Sequence, residues 1–142
     1  MNNRIRTLWF ASLCLAIAGC TRRSYEGPQR FALSGKVTVD GQPLDVGKIS
    51  FIPKSGDAQR VSGGQIADGM YTVTEEMGAN AGAYRVEIRW DKKTGKKYRD
   101  NDSGEMYDER KEGLPPRYHE QSELTAEVSA TQTTFNFDLK SQ

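Results

Sequence analysis

The chain has 142 residues and a mass of 15.9 kDa, which is enough for one modest domain and too little for two ordinary ones. Charged residues make up 27% and hydrophobic residues 36%, a balance that excludes a membrane-embedded bundle and indicates a small core. A net charge of +1 argues against nucleic-acid binding, while two cysteines and one histidine exclude a disulfide scaffold and the usual zinc site.

Residues 1–19 have the pattern of a secretory signal peptide. Arg4 and Arg6 form a basic start, and residues 8–18 form an uncharged apolar run that is too short to span a bilayer permanently. One interpretation is an ordinary signal that is cut after Ala18, which would leave Cys20 as an unmodified residue.

A second interpretation rests on Ile17-Ala18-Gly19-Cys20, which resembles the bacterial lipobox. This resemblance implies cleavage between Gly19 and Cys20 and acylation of the Cys20 thiol. Two or three acyl chains hold a protein firmly on a membrane, whereas one chain holds it only marginally. Thr21 at the second mature position favours the outer membrane over the inner one. The polar residues 20–30 predict a short tether between the lipid and a folded domain.

From Phe31 onward, apolar residues recur at every second position, as in strands with one buried face. Asp40-Gly41 and Asp68-Gly69 predict tight turns between strands, residues 65–67 form a weaker strand candidate, and residues 78–82 are predicted to be a loop. The residues predicted to point inward are Phe31, Leu33, Gly35, Val37, Val39, Ile49, Phe51, Tyr71, Val73, Tyr84, Val86, Ile88, Trp90, Leu124, Ala126, Val128, Phe135, Phe137 and Leu139. This pattern predicts an all-β, antiparallel two-sheet sandwich.

Several segments resemble the recurring landmarks of transthyretin-like domains, also called carboxypeptidase regulatory-like or Cna-B-like domains. These segments are 35–44, 49–53, 68–73, 82–86, 114–118, 122–125 and 135–139. The resemblance implies a single seven-stranded antiparallel Greek-key sandwich of the prealbumin type over residues 31–140, with a charged insertion at 91–113. It specifies a fold and leaves the function open, because many functions share one fold.

The catalytic activities known for such domains depend on residues that this sequence does not have in the required number. Lactam-hydrolysing relatives use several histidines, and related dioxygenases hold iron with two tyrosines and two histidines, whereas this chain has His119 alone. We find no nucleophile with an acid partner beside His119 in the sequence, so a loop histidine is expected. The sequence therefore predicts no catalytic residues, no cofactor and no metal site, and we expect that the protein is not an enzyme.

Some Cna-B-like domains form a Lys–Asn isopeptide bond between the first and last strands, helped by a buried acid. Lys36 and Asn136 lie on suitable strands, and Glu87 lies between them in sequence. The alternation places all three on outward faces, where nothing would keep the lysine neutral or the acid protonated. We expect three ordinary surface residues.

The insertion at 91–113 holds seven basic and seven acidic residues among its 23. Residues 100–104 are similar to an Asp-rich calcium loop, but Glu105 stands where an EF-hand needs glycine and Lys111 where it needs glutamate. Binding of nucleic acid or lipid by the lysines is a further alternative, and export argues against nucleic acid. We favour a solvated hairpin extension whose two halves neutralise each other.

Two function hypotheses follow from the sequence. The first is a non-catalytic structural or protein-interaction module, held by the lipid on Cys20 to a membrane that faces the periplasm. The alternative is a carbohydrate- or small-ligand-binding lipoprotein that uses loops at one end of the sandwich, with Tyr98 and Tyr107 as stacking residues. Trp90 is expected in the core or at its edge. The expected partners are the membrane and envelope proteins or glycans, and no nucleic acid.

Overall fold

The computed structural model describes residues 27–54 and 60–142, and these residues form strands and loops with two single-turn 3₁₀ helices at Glu75–Met77 and Pro116–Tyr118. The predicted all-β class is confirmed. The strands are β1 (Arg30–Phe31), β2 (Leu33–Val39), β3 (Gln42–Pro43), β4 (Val46–Pro53), β5 (Ser62–Ala67), β6 (Met70–Val73), β7 (Ala79–Asn80), β8 (Gly82–Arg99), β9 (Met106–Glu112), β10 (Thr125–Val128) and β11 (Phe137–Leu139).

The main sheet runs in the order β10-β8-β4-β5-β6-β2-β11, with β3 attached to β2 and β9 attached to β8. A separate two-stranded sheet joins β1 to β7. All of these pairs are antiparallel except β2–β11, whose register places Phe137 opposite Val37 in a parallel ladder. Side-chain alternation fixes which face of a strand is buried but carries no information on strand direction, so the antiparallel expectation is wrong for this pair.

Both predicted Asp-Gly turns have the backbone conformation that these two residue types favour. Asp40 and Gly41 have φ values of 52° and 81°, and Asp68 and Gly69 have φ values of 50° and 75°. Positive φ at both central residues defines the type I′ turn, whose twist matches that of the flanking strands. The Asp-Gly dipeptides therefore set the β2–β3 and β5–β6 connections.

The alternating residues build one core. Ile49 and Phe51 of β4 and Val86 and Ile88 of β8 are all fully buried, and they come from strands that pair directly. The other buried hydrophobic residues are Leu33, Val37, Val39, Leu44, Ile66, Tyr71, Val73, Ala79, Tyr84, Leu114, Ala126, Val128, Phe137 and Leu139. Phe31, Trp90, Leu124 and Phe135 are only partly buried and pack against this cluster. The inward faces predicted from the sequence are thus confirmed, and together they give a β-sandwich-like arrangement.

Aromatic side chains fill the centre of the core. The ring of Phe51 lies 6.1 Å from that of Tyr71, 6.5 Å from that of Tyr84 and 6.0 Å from that of Phe135. The Tyr71 hydroxyl donates a 2.8 Å hydrogen bond to the Phe135 carbonyl, so its polar end is satisfied inside the core. Burial raises the pKa of Tyr71 far above its usual range, and the hydroxyl stays neutral.

Some strand boundaries differ from the sequence expectation. The weak strand candidate at 65–67 begins earlier, at Ser62, because Gly63 and Gly64 continue the ladder with β4. The predicted loop at 78–82 contains the short strand β7, whose Ala79 and Asn80 are buried. A strand of two residues is too short to show a period of two, which explains why the sequence did not reveal it.

Candidate functional site

Residues 91–113 form a β-hairpin that extends from the main sheet, and we call this segment the arm. Its two strands are the second half of β8 and the whole of β9, paired from Asp91↔Glu112 to Arg99↔Met106. The register shifts between Lys93 and Lys97, where Gly95 has a φ of 82°. The sequence expectation of a solvated hairpin agrees with this pairing.

The tip of the arm is closed by the carboxylate of Asp100. Its Oδ1 accepts hydrogen bonds from the backbone of Asp102 at 3.1 Å and from the backbone and hydroxyl of Ser103 at 2.7 and 2.9 Å. These hydrogen bonds, led by the one from the Ser103 backbone, hold the pKa of Asp100 below its ordinary value. The carboxylate therefore acts as a turn acceptor, and the described residues contain no group of three metal-ligating side chains.

Tyr98 and Tyr107, the two predicted stacking residues, lie opposite each other on neighbouring strands of the arm. Their ring centroids are 6.0 Å apart with an interplanar angle of 32°, and they are 53% and 43% exposed. The Tyr107 hydroxyl donates a 2.8 Å hydrogen bond to the Glu105 carboxylate. The structure thus brings the two residues together as one exposed aromatic pair.

A depression in the surface lies away from this aromatic pair. It has a volume of about 320 Å³ and is shallow. Its lining consists of Lys48, Ser50, Val61, Ser62, Gly63, Gly64, Gln65 and Met77. These residues belong to β4, to β5 with the residue before it and, for Met77, to the first 3₁₀ helix, so the aromatic pair of the arm does not line this depression.

Trp90 fixes the arm to the sandwich. It is half-buried against the core, as expected from the alternation, and its indole N–H donates a 2.6 Å hydrogen bond to Asp45. Burial acts to raise the pKa of Asp45, but the Trp90 hydrogen bond and backbone donors outweigh it and lower the pKa. On the other side, Gly113 lies so close to the indole that a Cβ there would stand 2.5 Å from Trp90 Cε3. The ring is therefore held in one position.

Glu112 joins the two strands where the arm leaves the sheet. Its Oε1 accepts hydrogen bonds from the backbone N–H groups of Trp90 and Leu114, both at 3.0 Å. Its Oε2 lies 3.5 Å from the guanidinium of Arg89. Sequence reasoning missed this role, because Glu112 is one of seven acids in the segment and nothing local distinguishes it.

His119 lies just after the second 3₁₀ helix, in a loop as expected, but it is buried. Its Nε2 lies 3.2 Å from the Leu114 carbonyl, and its buried Nδ1 has no hydrogen-bond partner among the described residues. The nearby hydroxyl of Ser122 donates to the Val86 carbonyl, so it is not directed at the imidazole. The pair therefore lacks the nucleophile–base contact on which acyl-transfer chemistry depends.

Of the three residues considered for an isopeptide bond, the structure brings two together and leaves the third apart. Lys36 and Asn136 are exposed neighbours, with the Lys36 backbone N–H donating a 2.8 Å hydrogen bond to the Asn136 side chain. Glu87 lies on β8, several strands away in the sheet, and forms a 2.7 Å ion pair with Arg85. Glu87 is therefore not placed to act on Lys36 and Asn136.

The chain enters the fold at one end, and the arm leaves from the other. The Asn80 amide donates hydrogen bonds of 2.9 Å to the carbonyls of Pro28 and Gln29, directly beside the start of β8 at Gly82. β8 then runs for 18 residues to Arg99. At about 3.3 Å per residue, and allowing for the irregular stretch, this strand spans roughly 50 Å. We call the Pro28–Asn80 end the proximal pole and the tip of the arm the distal pole.

The predicted lipidation site, Cys20, and the cleavage site between Gly19 and Cys20 lie outside the described residues, as does most of the predicted tether. No helix within 27–54 or 60–142 is long and apolar enough to cross a membrane. Comparisons with protein-family models, curated proteins and solved structures found no match.

Proposed function

We propose that the chain is an exported lipoprotein, anchored through acyl groups on Cys20 to a membrane that faces the periplasm. Its β-sandwich, for which we propose the seven-stranded transthyretin-like Greek-key type, acts as a non-catalytic structural or protein-interaction module. The outer membrane is favoured because Thr21 follows the lipidated cysteine.

The observation that carries this proposal is the opposition of the two poles. Residues just after the proposed anchor are fixed at the proximal pole by Asn80, and the arm projects at the distal pole. A membrane at the proximal pole would leave the arm free, roughly 50 Å away by the length of β8. An anchored protein that meets partners away from the lipid surface needs this arrangement.

A non-catalytic role is supported by the hydrogen bonds that the potentially reactive side chains make. The carboxylates of Asp45 and Asp100 accept structural hydrogen bonds, and Ser122 donates to a backbone carbonyl. Each of these groups holds a loop or strand in place. A catalytic site instead directs such groups at one point where a reacting atom sits.

The anchor is tested by metabolic labelling with a palmitate analogue in a bacterial host. The full-length chain is expected to incorporate the label and to fractionate with membranes. Cys20→Ala should lose essentially all label and stay in the precursor form, because the thiol that accepts the lipid is gone. Cys14→Ala is the matched control, since this cysteine lies within the proposed signal and should leave labelling unchanged. Equal labelling of Cys20→Ala and the unaltered chain would contradict the proposal.

A second candidate function, glycan binding, is favoured by the exposed Tyr98–Tyr107 pair. Two adjacent rings on an exposed hairpin offer a stacking surface for the apolar face of a sugar. Tyr98→Ala combined with Tyr107→Ala is expected to lower binding to isolated envelope polysaccharide at least about tenfold, a loss of roughly 1.4 kcal/mol. The matched control is Met70→Ala combined with Met77→Ala, which removes exposed apolar side chains elsewhere. Equal binding by both double variants would rule out the stacking role.

A further inference from the structure

The outer edge of the arm is an unpaired strand edge. Among the described residues, β9 pairs with β8 alone. The Gly113 N–H donates to the Trp90 carbonyl, and the Asp100 N–H donates to the Glu105 carbonyl, so odd-numbered positions of this strand direct their peptide groups toward β8. Because these directions alternate, the even-numbered residues of β9 direct theirs outward. These residues are Met106, Asp108, Arg110 and Glu112.

An isolated two-stranded hairpin is marginally stable in water, and an open edge is a template for another strand. Proteins commonly guard such edges with charged side chains, and β9 is rich in them. The pattern of charges therefore decides which strand could pair there. A second copy of β9 meets this requirement, because the strand carries both acidic and basic side chains and can set one opposite the other when it pairs antiparallel.

Antiparallel pairing of β9 with a second copy is possible around a two-fold axis at any residue of the strand. With the axis at Asp108 or at Arg110, that residue would face its own copy, and like charges would meet. With the axis at Glu109, Asp108 of each copy lies opposite Arg110 of the other. The same alignment places Tyr107 opposite Lys111, which permits a cation–π contact. An axis at Glu109 likewise sets Glu109 against its own copy, but it adds two Asp108–Arg110 pairs and pairs the strand over its whole length, 106–112. An axis at Arg110 offsets its Glu109–Lys111 pairs by setting Asp108 against Glu112, and an axis at Asp108 gives no ion pair within β9. The charges therefore favour the axis at Glu109.

In this register Glu109 would face its own copy, and a hydrogen bond already present in the arm reduces the repulsion between the two carboxylates. The Oε2 atom of Glu109 accepts a 2.5 Å hydrogen bond from the Thr94 hydroxyl on β8, which draws the carboxylate away from the open edge. Lys93 forms a 2.8 Å ion pair with Oδ2 of Asp108, which leaves the Oδ1 atom to accept a hydrogen bond from a second copy. Arg110 donates a hydrogen bond from Nη1 to the Asp91 carbonyl, and a guanidinium has further donors for a second carboxylate.

We propose that two copies of this protein associate through the outer edges of β9, antiparallel about a two-fold axis at Glu109, and form a four-stranded arm. The peptide groups of Asp108 and Arg110 then exchange hydrogen bonds across the axis, and their side chains form two ion pairs. The association does not require the lipid anchor, although two anchored copies would meet at a higher effective concentration.

The first test uses a cysteine on the axis. In this alignment residue 109 forms a non-hydrogen-bonded pair with its own copy, and the Cα separation of about 4.5 Å is within the range of a disulfide. Glu109→Cys in the full-length chain, purified in detergent and mildly oxidised, is expected to give a covalent dimer on a non-reducing gel. Glu105→Cys is the matched control, because it lies on the same arm but roughly 26 Å from its copy in the proposed dimer.

The expected result is a dimer yield at least about tenfold higher for Glu109→Cys than for Glu105→Cys. Equal yields, or a monomeric Glu109→Cys protein, would overturn the proposal. The unaltered chain, run in parallel, reports any dimer formed through Cys14 or Cys20. A dimer of the cleaved chain, which no longer contains Cys14, would show a free Cys20 thiol and would count against the lipid anchor, without bearing on the pairing of β9.

The second test exchanges the charges in the Glu109→Cys background. Asp108→Arg places two arginines opposite each other, and Arg110→Asp places two aspartates opposite each other. Because the axis repeats each contact, either change is expected to lower the dimer yield by roughly tenfold. The two changes together restore opposite charges and are expected to restore the dimer. Single variants that dimerise normally, or a double variant that does not recover, would overturn the proposed register.

Discussion

Gly35→Ala is expected to lower the free energy of unfolding by about 3 kcal/mol, at the upper end of what overpacking a core costs. A Cβ at this position would lie 1.8 Å from the Phe135 carbonyl oxygen and 2.9 Å from the Tyr71 hydroxyl. The first contact is with backbone, which cannot rotate away as a side chain can. Residues 133–135 would have to move off β2, and the hydrogen bonds between Phe135 and Ser34 and between Tyr71 and Phe135 would be strained.

The measurement is thermal unfolding followed by circular dichroism, where a loss of this size corresponds to a fall in Tm of roughly 10 °C. Gly64→Ala is the matched control, because it is also a strand glycine but its nearest neighbour would lie at 3.3 Å. We expect the control substitution to lower the free energy of unfolding by less than about 1 kcal/mol. A Tm for Gly35→Ala equal to that of the control would show that the close approach of β2 and residue 135 is absent.

Glu112→Ala is expected to destabilise the base of the arm by about 2–3 kcal/mol. The change removes the acceptor for the Trp90 and Leu114 N–H groups and leaves both without their partner. The arm beyond this point is two-stranded and has little packing of its own, so its local opening should follow directly. Hydrogen exchange of the backbone amides between Lys92 and Lys111 should become faster by roughly thirtyfold or more, while exchange in β4 stays unchanged.

Glu112→Gln serves as the matched control for this prediction. It keeps a side-chain oxygen that can accept both N–H groups and removes only the charge that faces Arg89. Since that ion pair is partly exposed, its loss should cost less than about 1 kcal/mol. Equal exchange rates for the alanine and glutamine variants would mean that the charge, and not the acceptor, holds the base of the arm.

The inward faces were predictable because each depends only on neighbouring residues in sequence. Tyr84, Val86 and Ile88 alternate with polar residues, and all three are fully buried. The turns at Asp40-Gly41 and Asp68-Gly69 were predictable for the same reason, since the dipeptide itself favours positive φ. Local physics therefore predicts strands and tight turns well.

The pairing of distant segments was not predictable in this way. The parallel ladder between β2 and β11 joins residues that lie 100 positions apart, and alternation is the same for either direction. The hydrogen bonds of Asn80 to Pro28 and Gln29 likewise depend on where the chain enters the fold. Asn80 occurs in a stretch of small residues that reads as a loop, so its role as a clamp has no local signal.

The candidate site was predictable in part. Tyr98 and Tyr107 could be named from the sequence as exposed aromatic residues in a charged hairpin. Their direct pairing depends on the register shift between Lys93 and Lys97, because an unshifted ladder would place Tyr98 opposite Glu105. The open edge of β9 could not be foreseen either, since it depends on which strands the main sheet places next to the arm.

The parallel ladder between β2 and β11 also determines when folding can be completed. The edge of β2 that faces β11 has no partner strand until Phe137 has been synthesised, and contacts of such long sequence separation make folding slow. This ladder therefore cannot close until residue 137 has left the ribosome. For a protein exported as we propose, β2 and β11 would therefore meet only after both have crossed the membrane, and the ladder that joins them would be completed on the far side.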